Sequence, residues 1–118
     1  VANWELKWLQ KLKAENVTLP AVVQMKFHLH QSFASQRIKD IKAFCDENGI
    51  LFNGYSPLGR ADWTVFDASV GTPTTLEEPI VLDVAKRLGR SPAQVILRWH
   101  VQLGIAVSSV RQATLGAL

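Results

Sequence analysis

The strongest constraint on the fold of this chain is the alternation of short apolar segments with amphipathic helical patterns. The apolar segments 21–27, 50–52 and 105–107 are too short for helices and are predicted to be strands, the first of them buried on both faces. Segments with apolar residues at helical spacing separate them, two such segments preceding the last strand. The order helix, strand, helix, strand, paired helix, strand predicts right-handed crossovers and a parallel sheet.

Local signals predict the helix ends. Asn3 is a candidate N-cap for a first helix that ends at Asn16, and either Ser32 or Ser35 caps the second, which Gly49 ends. Pro79 marks the first turn of the third helix, which Gly89 ends, and Ser91-Pro92 starts a fourth that ends at Gly104. The residues at helical spacing that form the predicted apolar faces of these helices are Leu6, Trp8, Leu9, Leu12, Ile38, Ile41, Phe44, Cys45, Ile80, Val84, Leu88, Val95, Ile96, Trp99 and Leu103.

The size of the chain limits how such a sheet can be completed. With 118 residues, 47% of them hydrophobic, the chain is long enough for one domain and too short for two. Three strands, with at most a remnant of a fourth at Val1, make a poor free-standing parallel sheet, since its edges are unpaired and both faces need helices. Two architectures stay open, a small three-layer sandwich or part of a barrel.

Charge and cysteine content indicate a cytoplasmic protein. The net charge is +3, and the 13 Lys and Arg residues are scattered along the chain rather than clustered. No nucleic-acid partner is therefore predicted. The single cysteine, Cys45, excludes an internal disulfide and fits a reducing compartment. No signal peptide and no run long enough to span a bilayer is apparent, so no membrane association is predicted.

The candidate functional stretch is Gly54 to Gly59, with the sequence GYSPLG, directly after the second predicted strand. Pro57 has no backbone N–H to donate to a neighbouring strand, and the glycines at both ends of the stretch, Gly54 and Gly59, permit turns. The stretch presents an aromatic ring, a hydroxyl and backbone amides at the carboxyl end of a strand, where α/β folds bind ligands. An ordinary strand-to-loop turn explains the same residues.

Polar residues also interrupt the first predicted strand. Gln24 and Lys26 are two positions apart, so their side chains lie on the same face of the strand. Buried polar side chains need hydrogen-bond partners, which are either neighbouring residues or a ligand. His28 and His30 follow at the same spacing. No third ligand stands nearby, so a strand-end or pocket-rim position is predicted for these histidines rather than a metal site.

A long segment from Arg60 to Thr75 follows the candidate stretch. It is rich in Gly, Thr, Asp and Pro, yet it contains Trp63, Val65 and Phe66. Loops this long often lie over binding sites, and an insertion without such a role fits equally well.

Four segments together resemble the aldo-keto reductases. Residues 1–4, VANW, resemble the "VSNF" segment of that family, and residues 21–28 resemble its "AVNQIEXHP" segment. Residues 43–59, AFCDENGILFNGYSPLG, are similar to the seventh-strand region, and residues 90–107, RSPAQVILRWHVQLGIAV, to the stretch leading into the eighth strand. The resemblance implies that residues 1–118 are a C-terminal fragment of a TIM barrel, roughly from the end of strand five to strand eight.

The resemblance also implies an NADP(H) site and a family chemistry. Asn3 and Gln24 match the pair that hydrogen-bonds the nicotinamide carboxamide, and Tyr55 matches the tyrosine that stacks on the nicotinamide ring. Ser56 and Leu58 match positions that meet the cofactor pyrophosphate. In the family, NADPH transfers a hydride to an aldehyde or ketone, which implies a small carbonyl substrate.

Several residues depart from the family pattern. Ala2 replaces a serine that contacts the carboxamide, and three residues of the "AVNQIEXHP" segment differ, namely Val23, Lys26 and Leu29. Residues 108–112 read SSVRQ where the family has "IPKS" for the 2′-phosphate of NADP. Arg111 is a candidate electrostatic substitute for that lysine, and an ending altered by splicing or a frame change is a hypothesis.

No catalytic residue is predicted. The family's catalytic Asp, Tyr, Lys and His come from the first half of the barrel, which has no counterpart here. Tyr55 does not replace the catalytic tyrosine, because it matches the residue that stacks on the nicotinamide. The chain is therefore expected to be inactive alone, and its open barrel edges predict self-association or pairing with a complementary fragment. Two hypotheses follow, a fragment of an NADP(H)-dependent reductase, and a non-catalytic binding module or relic.

Overall fold

The structure, a computed structural model, describes residues 1–32, 35–59 and 75–108. These residues form five helices and three strands. In chain order they are α1 (Leu6–Ala14), β1 (Val22–Lys26), α2 (Leu29–Ser32), α3 (Gln36–Glu47), β2 (Leu51–Tyr55), α4 (Pro79–Leu88), α5 (Pro92–Gln102) and β3 (Ala106–Ser108). The short helix α2 was not anticipated from the sequence.

The described strands form one parallel sheet in the order β1-β2-β3, which confirms the predicted α/β alternation. In β1 and β2, Gln24 is in register with Asn53, and Lys26 with Tyr55. The residues before α1 extend the sheet at its β1 edge, because Ala2 bridges Gln24 in parallel. Two backbone hydrogen bonds of 2.8 Å hold this edge, from Asn3 N to Gln24 O and from Gln24 N to Val1 O.

The hydrophobic core lies between one face of the sheet and the helices α1 and α3. Its members are Leu9, Val23, Met25, Phe27, Ile38, Ile41, Phe44, Cys45, Ile50, Phe52 and Ile105. The prediction that the first strand is buried on both faces was wrong. Val23 is fully buried, whereas its neighbour Val22 on the other face is 36% exposed. The described residues cover only one side of this sheet.

Two predicted helix caps have different outcomes. Asn3 does not cap α1; Glu5 occupies that position and makes no side-chain capping bond. The side chain of Asn3 instead accepts a hydrogen bond from Tyr55. Ser91 does cap α5, since its hydroxyl accepts from Gln94 N at 3.2 Å and the Gln94 side chain accepts from Ser91 N at 3.0 Å. This reciprocal pair satisfies two backbone donors that a helix start leaves open.

The buried face of α4 differs from the predicted one. Val81 and Ala85 are buried, while Ile80 and Leu88 are 63% and 65% exposed. Ile80 and Leu88 line an apolar groove of about 790 Å³ between α4 and α5. Helical spacing identified α4 as amphipathic, but two adjacent apolar stripes fit its sequence, and packing selected the other one.

Gly54 also lies where it was not expected. It belongs to β2 rather than to a turn, on the buried face of the sheet. A Cβ atom there would approach Phe27 Cβ to 3.1 Å and Ile105 Cγ2 to 3.3 Å. Close packing of neighbouring side chains, and not turn geometry, therefore explains this glycine.

Cys45 is buried in α3, as predicted. Burial raises the pKa of its thiol from 9.0 to about 11, the Asp46 carboxylate adds to the rise and the Lys42 ammonium opposes it. An unfolded thiol ionises at lower pH than the folded one, so its titration lowers stability as the pH rises from 9.0 toward about 11. Urea unfolding at several pH values should show a shallower alkaline loss of stability in Cys45→Ala than in the native chain. Equal slopes would contradict this assignment.

In the described part of the chain no helix is long and apolar enough to cross a membrane. The predicted loop residues Trp63, Val65 and Phe66 lie outside the described residues, and so does Arg111 in the tail.

Candidate functional site

The candidate site lies on the face of the sheet opposite the core, which we call the open face. Its side chains belong to Val22, Gln24, Lys26, Leu51, Asn53, Tyr55, Ala106 and Ser108. The amino ends of β1 and β2 contribute apolar residues, and the carboxyl ends contribute polar ones. Ligands of α/β proteins bind at the carboxyl ends of strands, so the polar end is the candidate site.

Three of the predicted site residues meet at this end. The Tyr55 hydroxyl donates to Asn3 Oδ1 at 3.1 Å, although 52 positions separate the two residues. Gln24 pairs with Asn3 through the 2.8 Å backbone bond at the sheet edge. The Gln24 side chain donates to Asn53 Oδ1 at 3.4 Å, a long and therefore weak bond. An aromatic ring thus lies beside two side-chain amides.

Arg37 on α3 holds the segment that carries Asn3. Its guanidinium lies 2.7 Å from Glu5 Oε1 and donates to the carbonyl oxygens of Asn3 and Trp4 at 3.4 and 3.5 Å. Asn3 has a φ of 58°, in the left-handed region that asparagine tolerates better than most residues. Arg37 and the bond to Tyr55 therefore fix Asn3 from two sides.

The turn after β2 contains Ser56 and Leu58, the other two predicted site residues. Ser56 has a φ of 53° and Gly59 a φ of 70°, and Gly59 N donates to Ser56 O at 3.0 Å. The Thr75 hydroxyl donates to Leu58 O, which ties the turn to the residue at the far end of the long segment. Turns with left-handed residues can direct backbone amides toward an anion. The turn lies next to Tyr55 in the chain.

Lys26 is the one charged residue on the open face within the described residues. It is half-buried at the end of β1, in register with Tyr55. The described residues offer it no ion pair, and the open face carries neither a carboxylate nor an imidazole. The face therefore offers hydrogen-bonding groups, an aromatic ring and a positive charge, which suit binding better than general base catalysis.

Two of the three histidines, His100 and His30, lie elsewhere. His100 is fully buried in the core, with Nδ1 2.8 Å from Ile96 O and Nε2 3.2 Å from Phe27 O. His30 pairs with Glu78 at 2.5 Å, so it joins α2 to the start of α4. The described residues contain no cluster of three or more His, Cys, Asp or Glu that could hold a metal ion.

Sequence reasoning missed two residues of the site. Strand alternation could have identified Asn53, because it lies two positions before Tyr55 on a strand and therefore shares its face, as Gln24 and Lys26 share theirs. Arg37 had no such signal, since it is an ordinary exposed arginine in the first turn of α3 and contacts residues more than 30 positions away.

The comparisons with known proteins agree with one another. Residues 1–115 match the model described as "Aldo/keto reductase family". The chain is 35% identical over 102 residues to the human protein aldo-keto reductase family 1 member A1, covering 86% of this chain and 29% of that protein. The rat protein of the same name is 42% identical over 104 residues, with the same coverage. The chain therefore spans about 30% of the length of these curated relatives.

Solved structures show the same likeness. An aldo-keto reductase (AKR2E5) complexed with NADPH matches 92% of this chain with a TM-score of 0.73 and 26% identity, and the match covers 32% of that protein. An aldo/keto reductase from Brucella melitensis matches 93% of this chain with a TM-score of 0.66 and 27% identity, over 36% of its length.

Proposed function

Because the chain belongs to the aldo/keto reductase family, we propose that it forms the nicotinamide-binding part of an NADP(H)-dependent reductase. The observation that carries this proposal is the 3.1 Å hydrogen bond from Tyr55 to Asn3, with Gln24 beside Asn3 on the edge of the sheet. The phenol ring offers a flat surface for a nicotinamide, and the amides of Asn3 and Gln24 complement a carboxamide. A relative of known structure is described as complexed with NADPH.

The turn after β2 is the proposed contact for the cofactor pyrophosphate. Ser56 supplies a hydroxyl, and Ser56 and Leu58 supply backbone groups next to the ring of Tyr55. The left-handed φ of Ser56 and the hydrogen bond from Thr75 to Leu58 O support a preformed turn rather than one ordered by the ligand.

We assign β1, β2 and β3 to strands six, seven and eight of a (β/α)8 barrel, and residues 1–3 to the end of strand five. The parallel order, the bridge from Ala2 to Gln24 and the order of the matching segments support this assignment. In a closed barrel the open face would be the barrel interior, which explains why its side chains alternate with those of the core.

The whole reductase would reduce aldehydes or ketones, with NADPH supplying the hydride. This chain would bind and orient the cofactor and would contribute no catalytic residue. The amides of Asn3 and Gln24 would hold the carboxamide and Tyr55 would support the ring, while the cofactor would supply the hydride.

A fluorescence titration with NADPH tests the proposed site. The native chain should bind NADPH saturably, and Tyr55→Ala should weaken binding roughly three- to tenfold, because a stacked aromatic contact is lost. Trp8→Ala is the matched control, since it removes an exposed aromatic residue of α1 away from the open face and should leave the affinity unchanged. An absence of saturable binding at millimolar NADPH would exclude the proposal.

A non-catalytic binding module is the second candidate. The absence of carboxylates and imidazoles from the described part of the open face favours it. Loss of NADPH absorbance tests what the two candidates share, because under both of them the chain alone should show no carbonyl-dependent oxidation. If oxidation depends on both the chain and an aldehyde, the chain contains a catalytic group and the assignment of its role as binding alone is wrong.

A further inference from the structure

Lys26 occupies a position from which its charge acts on whatever lies over Tyr55. The two residues are in-register partners on neighbouring parallel strands and point to the same face. Neighbouring strands are about 4.8 Å apart, and a lysine side chain extends roughly 6 Å, so the ammonium can reach to within about 4–8 Å of a ring stacked on Tyr55.

Nothing on the described part of the open face neutralises this ammonium. Gln24, Asn53 and Tyr55 are its polar neighbours, and none of them has a carboxylate. Lys26 is also half-buried, so water screens its charge less than it screens the charge of an exposed lysine.

The two redox forms of a nicotinamide differ in charge. The oxidised ring is a cation, whereas the reduced ring is neutral, and both forms of the cofactor carry the same phosphates. Attraction between Lys26 and those phosphates therefore contributes almost equally to the binding of both forms. Repulsion between Lys26 and the ring acts on the oxidised form alone.

We propose that Lys26 makes this site discriminate between the redox forms of the cofactor, so that it favours NADPH over NADP⁺. The inference rests on the proposed function, because it requires the nicotinamide to stack on Tyr55. For two unit charges about 6 Å apart, Coulomb repulsion disfavours the oxidised form about threefold in bulk water and about a hundredfold at an effective dielectric constant near 20. Since the face is half open, we expect a factor of roughly three to ten.

The test measures the ratio of the two dissociation constants, which removes effects common to both forms. NADPH is titrated by its fluorescence, and NADP⁺ by its displacement of NADPH. Lys26→Gln should lower the ratio Kd(NADP⁺)/Kd(NADPH) about three- to tenfold, and Lys26→Glu should lower it further. Lys39→Gln is the matched control, because it removes an exposed lysine of α3 on the helical side of the sheet.

A measurement on the native chain does not depend on the folding of any variant. Raising the ionic strength from about 20 mM to about 0.5 M should lower the same ratio, because salt screens the repulsion between Lys26 and the oxidised ring. A ratio that neither Lys26 substitution nor salt changes, with both forms still bound, would overturn the role of Lys26 and leave the cofactor site intact. If the native chain binds neither form, the proposed function itself fails, and the role of Lys26 with it.

Discussion

Phe52→Ala is expected to lower the free energy of unfolding by about 3–5 kcal/mol, the range for truncating a buried phenylalanine. Phe52 is 1% exposed at the centre of the sheet, and its ring meets the edge of Phe27 with the centroids 5.9 Å apart. Removal of the ring leaves a cavity that β2 and α3 cannot fill without moving. Urea unfolding followed by circular dichroism measures the loss, which is a large fraction of the roughly 5–15 kcal/mol that stabilises an ordinary domain.

Leu51→Ala is the matched control for this experiment. Leu51 precedes Phe52 in β2 but lies on the open face and is 48% exposed. Its truncation should change the free energy of unfolding by less than about 1 kcal/mol. A loss at Leu51 as large as the loss at Phe52 would show that the open face is covered in solution, and the assignment of the two faces would then need revision.

Gly54→Val is the second substitution with a large expected effect. Strand propensity alone predicts stabilisation, since glycine is a poor strand residue and valine a good one. The structure predicts the opposite sign, because the first added carbon would already lie 3.1 Å from Phe27 Cβ and 3.3 Å from Ile105 Cγ2. Overpacking of this kind costs about 1–3 kcal/mol and sometimes more.

The series Gly54→Ala and Gly54→Val separates packing from propensity. Under the packing account, each added methyl group lowers the midpoint of urea unfolding further, and the NADPH affinity falls with it because Tyr55 follows directly in β2. A midpoint that rises with side-chain size would contradict the contacts described for Gly54. Asn53 is not a suitable control, since it belongs to the candidate site.

The fold could be predicted from the sequence where local signals were redundant. The alternation of apolar strands with amphipathic helices predicted the parallel sheet, and Ser91 with Pro92 predicted the start of α5 correctly. Prediction failed where the same residue suited two arrangements, a local one and a contact with a distant part of the chain. Asn3 had the chemistry of a helix cap, but its side chain bonds Tyr55, a contact between residues 52 positions apart.

The candidate site was predictable in its residue types and only partly in its arrangement. Motifs at the right spacing selected Gln24 and Tyr55, and strand alternation placed Lys26 beside Gln24. The sequence carried no signal for Arg37, because its contacts with residues 3–5 depend on where α3 packs against the edge of the sheet.

The sequence by itself determined the alternation of elements, the family and the identity of the polar residues at the strand ends, because these depend on local periodicity and motif spacing. Only the tertiary structure decided which face of each strand is covered. Gly54 and Tyr55 are neighbours in β2, yet one is packed against Phe27 and the other joins Asn3 on the open face. A period of two defines a pair of faces but does not say which one meets the helices. The register aligns the faces of neighbouring strands, and the packing of α1 and α3 against Val23, Met25 and Phe52 settles which face is covered.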